Sequence, residues 1–345
     1  MGKRRKWLVL VAALSALSLV AAACGGDDDD GGGATGETSE EVSGSLNISG
    51  SSTVEPITSL VSEKFQSENT GVTIAVDGPG TSDGFELFCN GETDISDASR
   101  PIEQEELDAC AANGITPIEL EIGLDALSVI GNPANPVTCL AFGDLYALFG
   151  PESDDFATWS DADALATELG GNDSFPDFAL TIVAPGEESG TYGSFIDIVG
   201  TDDTAEERGV EEDLAGGLRT AGYTISADDN VIVENAAGSE GGLGFVGFAF
   251  AEQAGDTVKE FEIDGGDGCV APSPEAVIDG TYPLGRSLYI YVSDVALEEN
   301  PAVGPFVDFY LTDAGLASVE EVQYISLPDD RIAETQSAWE SASAA

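Results

Sequence analysis

Hydrophobic positions follow one repeated order along much of the chain: a short apolar strand pattern, a Gly/Ser/Thr loop, and apolar residues at helical spacing. The strand patterns lie at residues 45–49, 72–76 and 178–183, and the helix after the first loop carries Ile57 and Leu60 on one face. The first turn of a helix has unpaired backbone N–H groups and the positive end of the helix dipole. The repeated pattern therefore predicts an α/β fold in which loops at helix N-termini can bind an anion.

Two further strand patterns, at residues 124–130 and 287–292, are placed so that the chain would cross twice between two halves. Acidic and amphipathic segments predict a surface helix at 103–112, a helical region at 202–221 and a final helix at 305–316. Alternating strands and helices with two crossovers predict an α/β fold with two lobes, two hinge crossovers and a ligand cleft between the lobes. The predicted lobes are lobe I, residues 45–131 and 287–345, and lobe II, residues 132–286.

The first 44 residues differ in composition from the rest of the chain. A basic segment, Lys3–Lys6, and an apolar run to Val20 predict an export signal over residues 1–23. The residues before Cys24 resemble a bacterial lipobox, with Ala21 where Leu is usual, and predict lipid attachment to Cys24; a plain secretory signal is the alternative. Residues 24–44 are rich in Gly and Asp and predict a flexible acidic tether. We therefore expect a lipid-anchored protein on the extracytoplasmic face of the cell membrane.

The charge of the chain narrows the function classes. The sequence has 11 Lys and Arg residues against 65 Asp and Glu residues, a formal net charge of -54, and no His. Such a charge repels the phosphate backbone of nucleic acid, which is therefore not an expected partner. The overall field also repels small anions, so an anion site would have to bind its ligand through local dipoles. Without His, a serine hydrolase lacks its usual base and the usual metal sites lack a ligand. We therefore expect a binding protein and not an enzyme, with no metal and no cofactor.

Four cysteines follow Cys24, and an even number in an exported protein predicts two disulfide bonds. Three pairings are possible. We expect a local bridge together with a bridge between distant segments, namely Cys89–Cys110 and Cys139–Cys269.

Three loop motifs occur in a set order: Gly50-Ser51-Ser52-Thr53, Gly80-Thr81-Ser82 and Glu188-Ser189-Gly190-Thr191, with Asp97-Ala98-Ser99-Arg100-Pro101 between the last two. In this order they resemble the phosphate-binding proteins of bacterial phosphate ABC importers, over residues 45–327. The resemblance implies a type II periplasmic-binding-protein fold that closes on inorganic phosphate. It further implies a monomer that delivers phosphate to the transmembrane subunits of an ABC permease. The same role for sulfate or molybdate, and a surface phosphate sensor or adhesin, are the alternatives.

Carried over by position, the resemblance implies phosphate contacts from the first loop, the second loop, the third loop and one arginine. These residues are Ser52, Thr53, Val54, Thr81, Ser82, Arg100, Ser189, Gly190 and Thr191.

Two positions depart from the best-known members of the family, which have Asp where Arg100 stands and Arg where Pro185 stands. We expect Arg100, as the only basic residue next to the three loops, to supply the guanidinium. The missing Asp would accept the proton of hydrogen phosphate, which sulfate lacks, so the source of selectivity is open. Three other acidic residues are candidate acceptors: Asp97, Asp83 and Glu55.

Overall fold

The computed structural model describes residues 42–187, 189–210 and 217–344. The strands in this part of the chain are β1 Ser43–Gly50, β2 Gly71–Asp77, β3 Ile95–Ala98, β4 Pro117–Gly131, β5 Cys139–Ala141, β6 Thr181–Ala184, β7 Tyr223–Ile225, β8 Gly242–Gly247, β9 Lys259–Glu260, β10 Glu262–Asp264, β11 Cys269–Val270 and β12 Gly285–Ser293. The α-helices are α1 Glu55–Glu68, α2 Thr81–Cys89, α3 Gln104–Ala112, α4 Phe142–Phe149, α5 Asp163–Glu168, α6 Gly190–Val199, α7 Thr201–Glu207, α8 Asp229–Gly238, α9 Phe248–Ala254, α10 Pro274–Ile278, α11 Asp294–Glu299, α12 Val303–Tyr310, α13 Asp313–Glu321 and α14 Asp329–Ser343.

The main sheet has the strand order β2-β1-β3-β12-β4-β8-β6-β7, with β9 also paired to β4. Parallel pairs lie at its two ends, where β1 pairs with β2 and β3, and β6 pairs with β7 and β8. The middle is antiparallel: β12 pairs with β3 and β4, and β4 pairs with β8. At 15 residues, β4 is long enough to pair with β12 in its first part and with β8 in its second. The predicted crossover strands therefore lie side by side at the junction of the two parallel parts.

The hydrophobic core is divided in the same way. One large cluster packs the first strands against β12 and the C-terminal helices, including Leu46, Phe65 and Phe306. Another packs the middle of the chain, including Phe149 and Phe245. Within β4, Leu120 and Ile122 belong to the first cluster and Leu124 and Leu127 to the second. The lobe boundaries at 131/132 and 286/287 stay a prediction.

Several predicted elements differ from the structure, among them the strand predicted at 178–183, which is β6 Thr181–Ala184, and the strand predicted at 124–130, which is the second part of β4 Pro117–Gly131. The helix predicted at 305–316 is wrong as a single, final helix, because Thr312 interrupts it: its side chain accepts a hydrogen bond from the Gly315 N–H and caps α13. A further helix, α14, then follows. In the region predicted helical at 202–221, α7 ends at Glu207; residues 211–216 lie outside the described part, and residues 217–221 are not helical. Strand β1 begins at Ser43, two residues before the predicted start, because Ser43 pairs with Gly71 of β2.

Two disulfide bonds join the pairs that we expected. Cys89–Cys110 connects α2 to α3, and Cys139–Cys269 connects β5 to β11. The predicted export signal, Cys24 and the tether up to residue 41 lie outside the described residues. Among the helices that the structure describes, none has the length and apolar character needed to cross a membrane.

Candidate functional site

The first loop is tightly fitted between β1 and α1. A Cβ on Gly50 would collide with the Asp97 backbone, so the close approach of β1 and β3 requires glycine here. The Ser51 N–H donates to the Asp97 carbonyl oxygen at 2.8 Å, and the Ser51 carbonyl accepts from the Val54 N–H at 3.1 Å. The Val54 N–H, a predicted phosphate donor, therefore already has a partner within the loop. The hydroxyl of Thr53 extends from this loop towards α6 and lies 3.2 Å from Ser194 Oγ.

Arg286, at the start of β12, holds this hydroxyl in a network with three residues of α6 and β4. Its Nη2 donates to Thr53 Oγ1 at 3.0 Å and to Ser194 Oγ of α6 at 2.8 Å. Its Nε lies 3.3 Å from Asp125 Oδ2 of β4, and its Nη1 lies 3.2 Å from Asp197 Oδ2 of α6. The side chains of Arg286 and Asp125 are 14% and 3% exposed, so this ion pair is largely withdrawn from water, whereas the Asp197 side chain is 56% exposed. The expectation that Arg100 is the only basic residue next to the loops is therefore wrong.

The third loop forms the N-terminus of α6. Ser189 is the N-cap residue, and its side chain accepts a hydrogen bond from the Thr191 N–H at 3.2 Å. Glu188 lies outside the described residues. Gly190 lets another group come close, since a Cβ there would stand 3.3 Å from the Tyr324 hydroxyl. Ten residues long, α6 directs its first N–H groups and its dipole towards this point.

The second loop contacts Arg100 and its surroundings. Thr81 Oγ1 lies 3.1 Å from Ser99 Oγ, and Ser82 Oγ accepts from Arg100 Nη2 at 3.0 Å. Arg100 makes a bidentate ion pair with Glu106 of α3, at 2.9 and 2.7 Å. The hydrogen bond to Glu106 raises the pKa of Arg100. Arg100 is thus next to the loops, as expected, but an acidic partner already occupies its guanidinium.

Six of the nine predicted site residues line one of two cavities, and Thr53, Val54 and Ser189 line neither. The larger, about 1180 Å³, is lined by Ser52, Thr81, Ser82 and Arg100, together with Arg286. The smaller, about 200 Å³, is lined by Gly190 and Thr191, together with Asp125 and Tyr324. Since Arg286 lines one cavity and Asp125 the other, their ion pair stands between them, beside the buried hydroxyl of Thr53.

Sequence reasoning missed the residues at this junction, which are Asp125, Ser194, Asp197 and Arg286. A signal was available for Arg286. Only seven of the eleven basic residues lie beyond the predicted export signal, so each of them could have been weighed as the cation of an anion site. In the described structure these seven have acidic or carbonyl partners; Arg286 is the one that contacts Thr53.

The three candidate acceptors have different environments. Asp97 is fully buried beneath the first loop and accepts a hydrogen bond from Thr58 Oγ1 at 2.9 Å. Burial is the main cause that raises the pKa of Asp97 to about 8; the hydrogen bond from Thr58 lowers it and the charge of Glu55 raises it. Asp83 is exposed and lines the larger cavity. Glu55 is half-buried at the start of α1, next to Gly78.

Comparison with known proteins identifies the family. A model of the PBP superfamily domain matches residues 35–314. The chain belongs to the PBP superfamily. It is 39% identical to protein SphX of Synechococcus elongatus over 282 residues, which cover 81% of this chain and 76% of the relative. It is 32% identical to the phosphate-binding protein PstS of Staphylococcus saprophyticus over 296 residues, which cover 85% and 84%.

Solved structures give the same result for the fold. A possible phosphate binding protein from Planctomyces limnophilus is 31% identical, with a TM-score of 0.77 over 87% of this chain and 99% of that one. An ABC-type phosphate transport receptor from Vibrio cholerae shares the fold, with a TM-score of 0.58. The resemblance to the phosphate-binding proteins and the predicted type II periplasmic-binding-protein fold are both confirmed.

Proposed function

We propose that this protein is an extracytoplasmic receptor that binds inorganic phosphate between its lobes and delivers it to an ABC import permease. The function consists of binding alone: hydroxyls, backbone N–H groups and a guanidinium replace the water around the anion, and the lobes close on it. The relatives named as phosphate-binding proteins support the ligand.

The observation that carries the proposal is the position of Arg286. Its Nη2 reaches the Thr53 hydroxyl of the first loop and the Ser194 hydroxyl of α6, the helix that begins at the third loop. A guanidinium binds phosphate through charge-assisted and often bidentate hydrogen bonds. The hydroxyl groups of Thr53 and Ser194 meet at this guanidinium, and the first turn of α6 lines the smaller cavity together with Asp125. We therefore assign Arg286 as the main cation of the site.

The loops are proposed to supply the remaining contacts. Thr53 contacts Arg286, Ser189 caps α6, and Gly190 and Thr191 line the smaller cavity, whereas Ser52, Thr81 and Ser82 line the larger cavity. Arg100 stays a candidate ligand of lower rank. Both arginines have acidic partners, but Arg286 also contacts hydroxyl groups of the first loop and of α6, whereas Arg100 contacts the hydroxyl of Ser82 in the second loop.

Calorimetric titration of the purified protein with phosphate, sulfate and molybdate tests the proposal. We expect tight phosphate binding and weak binding of the other two anions. Tighter binding of sulfate or molybdate would keep the receptor role but change the ligand, whereas no binding of any of the three would contradict the proposed function.

The proposal includes an anchor and a division into lobes. A lipid on Cys24 and a tether over residues 24–44 would hold the receptor at the membrane, and residues 45–131 and 287–345 would form lobe I around residues 132–286. The placement of β4 and β12 side by side in the middle of the sheet supports two connections between the lobes. We propose a monomer as the form that meets the permease.

A further inference from the structure

Tyr324 lies between two fixed points of the backbone, the end of α13 and strand β4. At the end of α13, the Tyr324 N–H donates to the Val319 carbonyl oxygen at 3.0 Å, and Gln323 has a positive φ of 70°. This is the left-handed turn that commonly ends a helix, where glycine is usual. One residue after Tyr324, Ile325 exchanges two backbone hydrogen bonds with Leu124 of β4, at 2.8 and 2.9 Å. The backbone is therefore held in place on both sides of Tyr324.

The side chain of Tyr324 brings a hydroxyl to the N-terminus of α6. Its ring is partly buried against the hydrophobic cluster that contains Leu46 and Phe306. Its hydroxyl lies 3.3 Å from the position that a Cβ on Gly190 would occupy, and both residues line the smaller cavity. The hydroxyl has no hydrogen-bond partner among the described residues. A polar group that follows α13 thus lies unpaired beside the first turn of α6.

The Tyr324 hydroxyl keeps its proton at neutral pH and can act as a donor. Burial is the main cause that raises the pKa of Tyr324; the charge of Asp125 raises it further and that of Arg286 lowers it. An anion at the first turn of α6 meets N–H groups and the positive end of the helix dipole. A hydroxyl without a partner in the protein gives such an anion a further hydrogen bond and gives up none within the protein.

We propose that Tyr324 is a further ligand of the bound anion and that its hydroxyl donates to an oxygen of the phosphate held at the first turn of α6. This inference rests on the proposed function and adds a contact from a segment that none of the loop motifs contains. Tyr324 belongs to the predicted lobe I and Gly190 to the predicted lobe II. The phosphate would therefore connect the two lobes through this contact when they close. A tyrosine side chain has only two torsions to order, so the contact costs little entropy.

Tyr324→Phe tests the proposal, with Tyr289→Phe as the matched control, because Tyr289 is also partly buried but lines the larger cavity. Each substitution removes one oxygen atom and keeps the ring. We expect the dissociation constant for phosphate to rise about 10–100-fold in Tyr324→Phe, the range for one hydrogen bond to a charged group, and less than about threefold in Tyr289→Phe. Stopped-flow measurement should assign the change in Tyr324→Phe to faster dissociation, with association nearly unchanged.

Two further measurements separate contact with the ligand from a structural role. Without phosphate, urea should unfold Tyr324→Phe at the midpoint of the unmodified protein, because the substitution breaks no hydrogen bond of the described structure. In protein labelled with fluorotyrosine, the fluorine resonance that is absent from Tyr324→Phe identifies Tyr324. This resonance should shift when phosphate saturates the site, and by more than the resonance of Tyr289.

Three outcomes would overturn the proposal. The first is a folded Tyr324→Phe protein that binds phosphate as tightly as the unmodified protein. The second is an equal loss of affinity in Tyr289→Phe. The third is a loss of affinity in Tyr324→Phe that comes with a matching loss of stability without phosphate, which would assign the hydroxyl a structural role. In all three the unmodified protein still binds phosphate, so they differ from a failure of the proposed function, in which it binds none.

Discussion

Arg286 Nε lies 3.3 Å from Asp125 Oδ2, and this contact joins the two strands that run side by side in the middle of the sheet. The Asp125 side chain is 3% exposed and the Arg286 side chain 14%. In such an environment, removing one partner leaves the other charge without compensation. The pair therefore stabilises the contact between the central strands, and Arg286 is the residue that we propose as the main cation of the anion site.

Arg286→Ala is expected to weaken phosphate binding by about 2–5 kcal/mol, the range for breaking a buried, hydrogen-bonded charge pair. Calorimetry measures the change, and urea unfolding of the same variant should show a loss of stability because Asp125 is left unpaired.

Arg100→Ala is the control for Arg286→Ala, because Arg100 lines the same cavity as Arg286 but pairs with Glu106. With a side chain that is 31% exposed, its removal should cost less than about 1 kcal/mol of phosphate affinity. A larger loss for Arg100→Ala than for Arg286→Ala would show that the cation of the site is Arg100.

Local sequence patterns predicted the elements that present the loops. The Gly/Ser/Thr segments before Glu55, Thr81 and Gly190 lie at helix starts in the structure. Hydroxyl side chains accept hydrogen bonds from the first N–H groups of a helix, and proline has the helical φ angle at its first position, so both favour a helix start locally. The single helix predicted at 305–316 also differs for a local reason: the side chain of Thr312 caps a new helix, α13, although helical spacing of the apolar positions continues across it.

The junction between the cavities could not be predicted in this way. Arg286 meets Thr53 across 233 positions and Ser194 across 92, so their contact depends on the pairing of β12 with β4. Arg100 was favoured because it lies inside a recognisable motif. Local spacing does not indicate that Glu106, six residues further on in α3, pairs with its guanidinium. Such contacts are set by tertiary packing and not by spacing.

Asp97→Asn is expected to stabilise the protein more at pH 8 than at pH 5. Burial is the main cause that raises the pKa of Asp97 from 3.8 to about 8, so the native carboxyl keeps a proton that the unfolded chain releases above its ordinary pKa. Native stability is therefore lost as pH rises through the interval between these two values. A neutral amide at position 97 does not titrate, so it removes this loss. Relative to the unmodified protein, the free energy of unfolding of Asp97→Asn should therefore rise by up to about 4 kcal/mol from pH 5 to pH 8, at about 1.4 kcal/mol per pH unit.

Urea unfolding at the two pH values measures the gain, and Asp144→Asn is the matched control for a buried aspartate. Asp144 accepts hydrogen bonds from the backbone N–H groups of Ala141 and Asn172, at 2.8 and 2.6 Å. Its amide variant should lose stability at both pH values, since an NH₂ group would face these donors. An Asp97→Asn gain that does not depend on pH would contradict an Asp97 carboxyl that is protonated in the native state.

Cys24→Ser is expected to release a folded protein from the membrane, because the substitution removes the residue that is predicted to carry the lipid. Stable anchoring needs more than one acyl chain or a second membrane-binding signal. Fractionation of cells and incorporation of labelled fatty acid measure the effect, with the unmodified protein in the membrane fraction as the comparison. If the unmodified protein incorporates no lipid, the plain secretory signal is the correct interpretation.

The disulfide bond that should be reduced first is also the one that should contribute more to stability. Cys269 is exposed, whereas Cys89 and Cys110 are 2% and 0% exposed, so a mild reductant should open Cys139–Cys269 first in the folded protein. That bond spans 130 residues and the other spans 21. The loop-entropy relation gives about 5 kcal/mol for the longer loop and about 3 kcal/mol for the shorter.

Timed alkylation with peptide mapping measures the order of reduction, and urea unfolding of the paired Cys→Ser variants measures the stability. We expect the Cys139/Cys269 variant to lose more stability than the Cys89/Cys110 variant. Equal losses would contradict the expectation that loop length sets the entropy of the unfolded chain. Residual structure in the denatured state can offset the entropy of a long loop. Faster reduction of Cys89–Cys110 would instead show that α2 and α3 separate more readily than their packing indicates, because both sulfur atoms lie in a cluster with Phe85 and Tyr291.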